Sequence, residues 1–200
     1  MFTGIVQTFG KIIDVVNDKS NVHFTIESNL SKQLKIDQSV AHNGVCLTVV
    51  KQNKQSHTVT AIKETIDKTT LGTWEKGDKI NLELAMQANA FLDGHIVQGH
   101  VDQVAICKKI ELQEGSTMFY FKFIEKPKYA LVDKGSVCVD GTSLTVVKAK
   151  KKLFSVAIIP YTLEHTLFHQ YQVGSIVNIE FDIFGKYVEN FLKQSKKSKK

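Results

Sequence analysis

The stretch Ser39-Val-Ala-His-Asn-Gly-Val-Cys-Leu-Thr-Val-Val50 decides the fold of this chain, because it occurs twice. It returns 97 residues later as Ser136-Val-Cys-Val-Asp-Gly-Thr-Ser-Leu-Thr-Val-Val147, with seven of twelve positions identical. The same offset pairs Ile80-Asn-Leu-Glu83 with Val177-Asn-Ile-Glu180. Self-similarity that keeps one register over so long a span predicts tandem copies of one domain.

Upstream of these stretches, Gly4-Ile-Val6 aligns with Gly99-His-Val101 at an offset of 95, which a small insertion explains. Repeats of roughly 90 residues are large enough to be domains and are far longer than a solenoid unit. We therefore predict one domain over residues 1–92 and a second over 93–182, with the boundary near residues 89–94.

Within each repeat, short runs rich in β-branched and aromatic residues alternate with turn residues. Val22–Ile26 and Thr58–Ile62 are examples in the first repeat, and Met118–Phe123 and Phe154–Ile159 in the second. Asn-Gly, Asp-Gly and Lys-Gly-Asp separate such runs, which is the pattern of small antiparallel barrels. Two stretches at equivalent places, 64–71 and 161–168, break the strand pattern and predict a short helix or wide turn that closes each barrel.

The C-terminal segment has a different pattern. From Ile183 to Leu192 the apolar residues recur at the spacing of an amphipathic helix. A lone helix of about ten residues is marginal in water and needs a partner, either its own barrels or another copy of the chain. Residues 193–200 hold five lysines and no acid, and we expect a solvated, disordered tail or a weak polyanion contact.

Composition limits the function classes. Residues 1–192 contain 21 basic and 20 acidic residues, so they carry only +1 of the net charge of +6, and residues 193–200 carry the rest. The N-terminus lacks a secretory signal, no segment reaches the roughly 18 apolar residues of a membrane span, and we expect a cytoplasmic protein. Its three cysteines form no ligand-like pairs, which argues against a disulfide framework or a structural zinc site.

Small polar side chains recur after the repeated Gly turn, at Cys46 and Thr48 and again at Ser143 and Thr145. Residues two apart on a strand share a face, so each pair could hydrogen-bond the edge of a polar heterocycle. The alternative is that Leu-Thr-Val-Val is simply a good strand. Cys46 also has the chemistry of a nucleophile, but Ser143 at the equivalent place favours a shared binding role.

The run Gly94-His-Ile-Val-Gln-Gly-His-Val-Asp102 joins the two repeats. Histidines five residues apart share neither a strand face nor a helix face, so a metal site is a weak interpretation. Gly99 allows close backbone approach, and the adjacent His100 suits acid and base work near neutrality. A purely structural histidine is the alternative.

Taken together, these residues resemble the riboflavin synthase family, alpha-chain type. The resemblance rests on the N-terminal Met-Phe-Thr-Gly-Ile-Val, the repeated box at 39–49 and 140–146, Lys63-Glu-Thr65, the run at 94–102 and Ile159-Pro-Tyr-Thr-Leu163. These motifs span residues 1 to about 185 in family order. Asp93 and the Phe168-His169 pair depart from the family pattern, which puts only local loop geometry in doubt.

The resemblance implies an all-β fold, with two tandem homologous six-stranded antiparallel Greek-key barrels and a C-terminal α-helix. It further implies a homotrimer held by the helices at 183–192, with each active site between the N-terminal barrel of one subunit and the C-terminal barrel of its neighbour. No cofactor or metal is expected, nor nucleic acid or membrane as a partner. Association with lumazine synthase is left open.

The resemblance also implies the site residues. The pocket of the N-terminal barrel would comprise Gly4, Ile5, Val6, Ser39, Cys46, Leu47, Thr48, Thr60, Ala61, Ile62, Lys63, Glu64, Thr65, Gly99, His100 and Val101. The pocket of the C-terminal barrel would comprise Lys134, Ser143, Leu144, Thr145, Ile159, Pro160, Tyr161, Thr162, Leu163, Glu164 and Asp182.

The implied reaction joins two molecules of 6,7-dimethyl-8-ribityllumazine and transfers a four-carbon unit between them, giving riboflavin and 5-amino-6-ribitylaminouracil. Its catalytic residues would be His100, Ser39, Cys46, Ser143 and Asp182, with His100 assisting proton transfer and Thr48, Thr145 and Lys134 helping to orient the rings. Two other classes compete: a non-catalytic lumazine- or flavin-binding antenna protein, and a basic barrel that binds nucleic acid through the lysine tail.

Overall fold

The computed structural model describes residues 1–124, 129 and 131–197 and contains two closed six-stranded barrels. All six neighbouring pairs in the first barrel are antiparallel, in the closed order β1-β2-β5-β4-β3-β6. Its strands are β1 (Thr8–Asp18), β2 (Asn21–Glu27), β3 (Ser39–His42), β4 (Val45–Gln52), β5 (Ser56–Ala61) and β6 (Lys79–Leu84). Three strands form a meander and β2 lies beside β5, which is the Greek-key arrangement.

The second barrel repeats this order, with β7 to β12 in the places of β1 to β6. Its strands are β7 (Gln103–Gln113), β8 (Ser116–Phe123), β9 (Ser136–Val139), β10 (Thr142–Lys150), β11 (Leu153–Ile158) and β12 (Ile176–Phe181). The predicted all-β class with two six-stranded antiparallel barrels is therefore confirmed. The predicted boundary between residues 92 and 93 falls in the segment that links the barrels and stays a prediction.

Each barrel is filled by side chains that alternate along its strands. In β4, Val45, Leu47 and Val49 point into the apolar core, while Cys46 and Thr48 point outward. The second core is more aromatic and contains Phe119, Phe121, Phe123, Phe154, Phe168 and Phe181. Burial of these inward faces is the main favourable contribution to folding.

The three helices lie outside the sheets. The predicted closing segments are short helices, α1 (Lys63–Lys68) and α2 (Pro160–His165), and each is followed by a 3-10 turn, at Thr70–Thr73 and Leu167–Gln170. The C-terminal helix α3 covers Ile183–Lys197, five residues beyond its predicted end at Leu192. The prediction of disorder is thus wrong for 193–197, where an ion pair between Lys193 and Glu189 at 2.7 Å continues the helix pattern, and 198–200 lie outside the described residues.

None of the helices within the described residues is long and apolar enough to span a membrane.

The barrels meet where their equivalent hairpin turns touch. Asn43 and Gly44 join β3 to β4, Asp140 and Gly141 join β9 to β10, and all four residues have positive φ. Positive φ at two successive residues is typical of the two-residue type I′ hairpin turn, whose twist matches that of the flanking strands. The turns are so close that a Cβ atom on Gly44 would lie 2.7 Å from the backbone nitrogen of Gly141.

Two buried asparagines tie this contact together. The amide of Asn81 in β6 donates to the carbonyl of Asp140 at 2.8 Å, and the amide of Asn178 in β12 donates to the carbonyl of Asn43 at 2.9 Å. Each carboxamide thus leaves its own barrel and bonds the turn of the other. Because unpaired buried amides are costly, these bonds hold the barrels in one relative orientation.

A buried histidine pair occupies one end of the first barrel. Nε2 of His42 lies 2.9 Å from Nε2 of His57, and Nδ1 of His57 lies 2.9 Å from the hydroxyl of Ser31. The second barrel has apolar Val139 and Phe154 at the equivalent places. Burial lowers the pKa of His57 to about 4, and burial together with the neighbouring His57 holds the pKa of His42 well below its usual range.

Replacement of Gly44 by alanine tests the turn contact. We expect Gly44→Ala to lower the free energy of unfolding by at least about 3 kcal/mol, because strain from positive φ adds to a backbone clash. Gly77→Ala is the matched control: Gly77 has φ of 108° but open space around it, so only the strain of roughly 1–2 kcal/mol remains. Equal losses in urea denaturation would contradict the proposed contact.

The histidine pair predicts a loss of stability in mild acid. Both folded pKa values lie below the ordinary 6.5, so protonation favours the unfolded chain as the pH falls from about 6.5 towards 4. The expected slope is up to about 1.4 kcal/mol per pH unit for each histidine. The double variant His42→Val, His57→Phe, which copies the second barrel, should have a flatter pH dependence of unfolding free energy; an unchanged slope would refute this origin.

Candidate functional site

The outward face of β4 carries the first group of predicted site residues. Cys46 and Thr48 share this face, as their spacing predicts, and Ser39 in β3 pairs directly with Thr48. Leu47 lies between them but points into the barrel core, where it is 5% exposed. A ligand on this face would therefore meet the thiol and hydroxyl groups, while Leu47 supports the strand from behind.

The linker segment 98–101 crosses from the second repeat to this face. The carbonyl of Gly99 accepts a 2.9 Å hydrogen bond from the backbone N–H of Cys46. A Cβ on Gly99 would lie 2.5 Å from the Cβ of Cys46, so only glycine permits this approach. The next residue, His100, is exposed beside the face, and Val101 packs on the first barrel's core. The structure thus brings Gly99, His100 and Val101 to the N-terminal barrel, as predicted.

The N-terminal segment, which precedes the first barrel, reaches the second barrel in the same way. The carbonyl of Gly4 accepts a 2.7 Å hydrogen bond from the N–H of Ser143, and a Cβ on Gly4 would lie 2.6 Å from the Cβ of Ser143. The structure therefore places Gly4 beside the second barrel and not in the pocket of the N-terminal barrel, where it was predicted with Ile5 and Val6; for Ile5 and Val6 that assignment stays a prediction. Alignment of the repeats showed that the two segments are equivalent, but not that each one packs on the other repeat's barrel.

We call residues 3–6 the first arm and residues 98–101 the second arm. Each arm is held by one buried carboxylate. Glu83 accepts hydrogen bonds from the N–H groups of Thr3 and Gly4, and Glu180 accepts from those of Gln98, Gly99 and His100, all between 2.7 and 3.0 Å.

Burial raises the pKa of both carboxyl groups, and the N–H donors oppose that rise because they favour the ionised form. The arms are therefore anchored by charge-assisted hydrogen bonds, which are stronger than neutral ones.

The second barrel presents the matching face. Ser143 and Thr145 lie on β10, and Thr145 pairs with Ser136 as Thr48 pairs with Ser39. Leu144 packs towards the barrel core, like Leu47. The repeated polar pair is therefore built twice, once on each barrel, with one arm of the other repeat beside it.

One contact breaks the symmetry. Nδ1 of His95 lies 2.6 Å from the hydroxyl of Ser143 on the second barrel. Burial lowers the pKa of His95, while the charge of nearby Asp182 acts in the opposite direction. Ser143, His95 and Asp182 thus form a polar group at the second barrel, whereas no imidazole among residues 1–124, 129 and 131–197 hydrogen-bonds the thiol of Cys46.

Other predicted residues of the first barrel lie around the end of β5. The hydroxyl of Thr60 is 2.8 Å from Nδ1 of His23, Ala61 is buried in the core and Ile62 is 55% exposed. In α1, Lys63 and Glu64 each form an ion pair with the residue four positions on, at Asp67 and Lys68. Thr65 accepts a hydrogen bond at its carbonyl from the hydroxyl of Thr69. The two charged side chains therefore already have partners on their own helix.

The equivalent end of the second barrel is more aromatic. Ile159 is 56% exposed, Pro160 begins α2, and the ring of Tyr161 stacks on His165 at 4.0 Å between centroids. Thr162 accepts a hydrogen bond at its carbonyl from Thr166, as its counterpart Thr65 does from Thr69. Leu163 packs on the barrel core and Glu164 is exposed. These residues form a rim beside β11.

Lys134 and Asp182 flank β9. Lys134 has φ of 66° in the turn before β9, and its N–H donates to the carbonyl of Val146 at 2.7 Å. Asp182 lines a cavity of about 170 Å³ together with Ser136 and the start of α3. Among residues 1–124, 129 and 131–197, no cluster of three or more His, Cys, Asp or Glu side chains could hold a metal ion.

Sequence reasoning missed four residues that shape the site. Glu83 and Glu180 stand at equivalent places in the two repeats, and an acid that recurs in a buried apolar strand is the signal that it binds backbone N–H groups. His95 lay in the run at 94–102, but only the fold places its ring against Ser143. Ser136, the counterpart of Ser39, follows from the repeat alone.

The chain matches the family described as lumazine binding domain twice, at residues 3–85 and 98–182. It is similar to the riboflavin synthase of Bacillus amyloliquefaciens, with 38% identity over all of this chain and 93% of that protein. The riboflavin synthase of Actinobacillus pleuropneumoniae is 39% identical over 96% of this chain and 90% of its own. That of Saccharomyces cerevisiae is 34% identical over 94% of this chain and 85% of its own.

Solved structures with the same fold include LumP in complex with 6,7-dimethyl-8-(1'-D-ribityl) lumazine, with a TM-score of 0.80 and 24% identity. That alignment covers 90% of this chain and 98% of LumP. LumP in complex with riboflavin gives a TM-score of 0.81 at 23% identity, over 90% of this chain and 99% of LumP. At this identity the likeness concerns the fold.

Proposed function

The chain belongs to the riboflavin synthase family and carries two lumazine-binding domains, and from this we propose that it dismutates two molecules of 6,7-dimethyl-8-ribityllumazine. The products are riboflavin and 5-amino-6-ribitylaminouracil, so one substrate molecule gives up four carbon atoms and the other receives them. The observation that carries the proposal is the duplicated face, with Cys46 and Thr48 on one barrel and Ser143 and Thr145 on the other. A reaction of two identical substrates needs two such sites.

Proton transfer is the first chemical requirement. The C7 methyl group of the lumazine is acidic because its carbanion delocalises into the fused rings, so a modest base is sufficient. We assign this work to His100, whose exposed imidazole stands at the edge of the first face while Glu180 holds its backbone N–H at 2.9 Å. On the opposite lumazine, a nucleophile adds at C7 before the two rings are joined.

The polar residues on each face would orient the rings. Ser39, Cys46 and Thr48 do this on the first barrel; Ser143, Thr145, Lys134 and Asp182 do it on the second, where His95 fixes the Ser143 hydroxyl. Gly4 joins the second group. Holding two flat rings face to face removes the cost of a bimolecular encounter, which supplies a large part of the rate.

We further propose that the active site forms between two subunits of a homotrimer. Helix α3 supports this assembly, because it presents a row of large apolar side chains to solvent, each more than half exposed. They are Phe184, Tyr187, Val188, Phe191 and Leu192. We place the protein in the cytoplasm, where its three unpaired cysteines would stay reduced.

A binding protein without turnover is the second candidate. The observation that favours it is the likeness in fold to LumP, whose structures contain lumazine or riboflavin. The identity of 34–39% to riboflavin synthases over nearly the full chain outweighs it.

Turnover of lumazine distinguishes the two candidates. The purified protein, incubated with 6,7-dimethyl-8-ribityllumazine in chelator and without coenzyme, should produce one riboflavin for every two lumazines consumed. Chromatography of both products measures the ratio. Tight binding without riboflavin would support the binding protein and overturn the synthase proposal.

Replacement of His100 tests its proposed role. We expect His100→Ala to reduce kcat by about 10²-fold or more, with less than a threefold change (~0.7 kcal/mol) in the dissociation constant for lumazine. His169→Ala is the control, since the exposed His169 hydrogen-bonds Thr166 and Gln170 and packs its ring on Phe9, none of which is a proposed site residue. Equal losses in turnover and binding would show that His100 only binds substrate.

A further inference from the structure

One lysine of helix α3 forms an ion pair with the body of the protein. Nζ of Lys186 lies 2.6 Å from Oδ2 of Asp102, and the two side chains are only 14% and 15% exposed. The exposed i,i+4 pairs elsewhere in the chain contribute little to stability, but a largely buried pair is strongly sensitive to loss of either partner. Lys186 is thus the charged connection between α3 and the barrels.

Asp102 connects this lysine to the second arm. It lies two residues after His100, and its Oδ2 atom also accepts the N–H of Phe181 at 2.9 Å. Its own N–H donates to the carbonyl of Ile179 at 2.9 Å. Movement of Asp102 would therefore move the end of the arm relative to β12.

Glu180 is the second group affected by the lysine. Its carboxylate holds three consecutive N–H groups of the arm, from Gln98 to His100. Burial raises the pKa of Glu180, and the charge of Lys186 lowers it. The ammonium therefore helps to keep Glu180 ionised, the form in which both oxygens are strong acceptors for the N–H groups of the arm.

The first arm provides an internal comparison. Its counterpart of Asp102 is the neutral Gln7, which accepts the N–H of Leu84 at 3.1 Å as Asp102 accepts that of Phe181. The position equivalent to Lys186 is Asn89, which carries no charge. Among the residues that the structure describes, the arm that carries His100 is held by a cation from α3, while the first arm has a neutral residue at both equivalent positions.

We propose that Lys186 is a positioning residue that holds the second arm in place through Asp102 and Glu180. The position of helix α3 against the barrels is thereby coupled to the position of His100. The consequence for turnover rests on the proposed function. The consequence for the arm does not, because it concerns hydrogen bonds that form without substrate.

Amide hydrogen exchange tests directly whether Lys186 holds the arm. In Lys186→Met, which keeps the aliphatic stem and removes the charge, exchange at Gly99 and His100 should rise by about tenfold. Exchange at Thr3 and Gly4, held by Glu83 in the same molecule, should change by less than about twofold. Asp102→Asn, which leaves the helix intact, should give the same pattern. A rise in both arms, or in neither, would overturn the proposal.

Kinetics test the coupling to His100. In Lys186→Met we expect kcat to fall by about tenfold, because misplacement of a catalytic group costs rate, while the dissociation constant for lumazine changes by less than about threefold. Lys186→Arg should recover most of the rate. Lys193→Met is the matched control, since Lys193 lies on the same helix and its ion pair in the described structure is with Glu189 of that helix. Equal effects of the two methionine variants would overturn the coupling.

Two measurements separate the possible causes. The sedimentation coefficient of Lys186→Met should equal that of the wild type; a smaller value together with unchanged exchange at Gly99 would mean that Lys186 acts on assembly and not on the arm. If the wild type itself makes no riboflavin, the proposed function fails, while the exchange result still decides whether Lys186 holds the arm.

Discussion

The carboxamides of Asn81 and Asn178 are the interaction on which the rest of this structure depends. Each side chain is about 1% exposed, donates to the other barrel's turn and accepts an N–H from the other barrel, Leu167 for Asn81 and Thr70 for Asn178. A buried amide without partners is costly, so the bonds are retained only if the barrels sit in one orientation. The contact between Gly44 and Gly141 follows from that orientation, because no side chain fits between the two turns.

This orientation also explains the crossed arms. When the barrels face each other through equivalent strands, the segment before each barrel reaches the other barrel, while a carboxylate of its own barrel holds its backbone: Glu83 for the first arm and Glu180 for the second. Residue pairs such as Gly99 with Cys46 are then contacts between repeats. Each ligand face therefore depends on both domains, and we do not expect either barrel alone to carry a complete site.

The two repeats carry ligand faces with the same strand arrangement but different side chains. Cys46 stands where the other copy has Ser143, and of these two side chains Ser143 alone has a histidine within hydrogen-bond distance in the described part of the chain. His42 and His57 form a polar pair inside the first barrel, whereas the second is filled by Phe154 and its aromatic neighbours. Two copies of one substrate would thus contact different side chains. The proposed reaction requires such a difference, because one copy donates four carbon atoms and the other accepts them.

The sequence by itself determined the two domains, the antiparallel barrels, the closing turns and the polar pairs on β4 and β10. Its repeat and its period-two patterns are local properties of the chain, and strand faces follow from them directly. Only the tertiary structure decided that Gly4 packs on Ser143, that His95 reaches Ser143 and that Lys186 meets Asp102. Those contacts join residues 48 to 139 positions apart, and their geometry depends on how one barrel is oriented against the other, which no local pattern records.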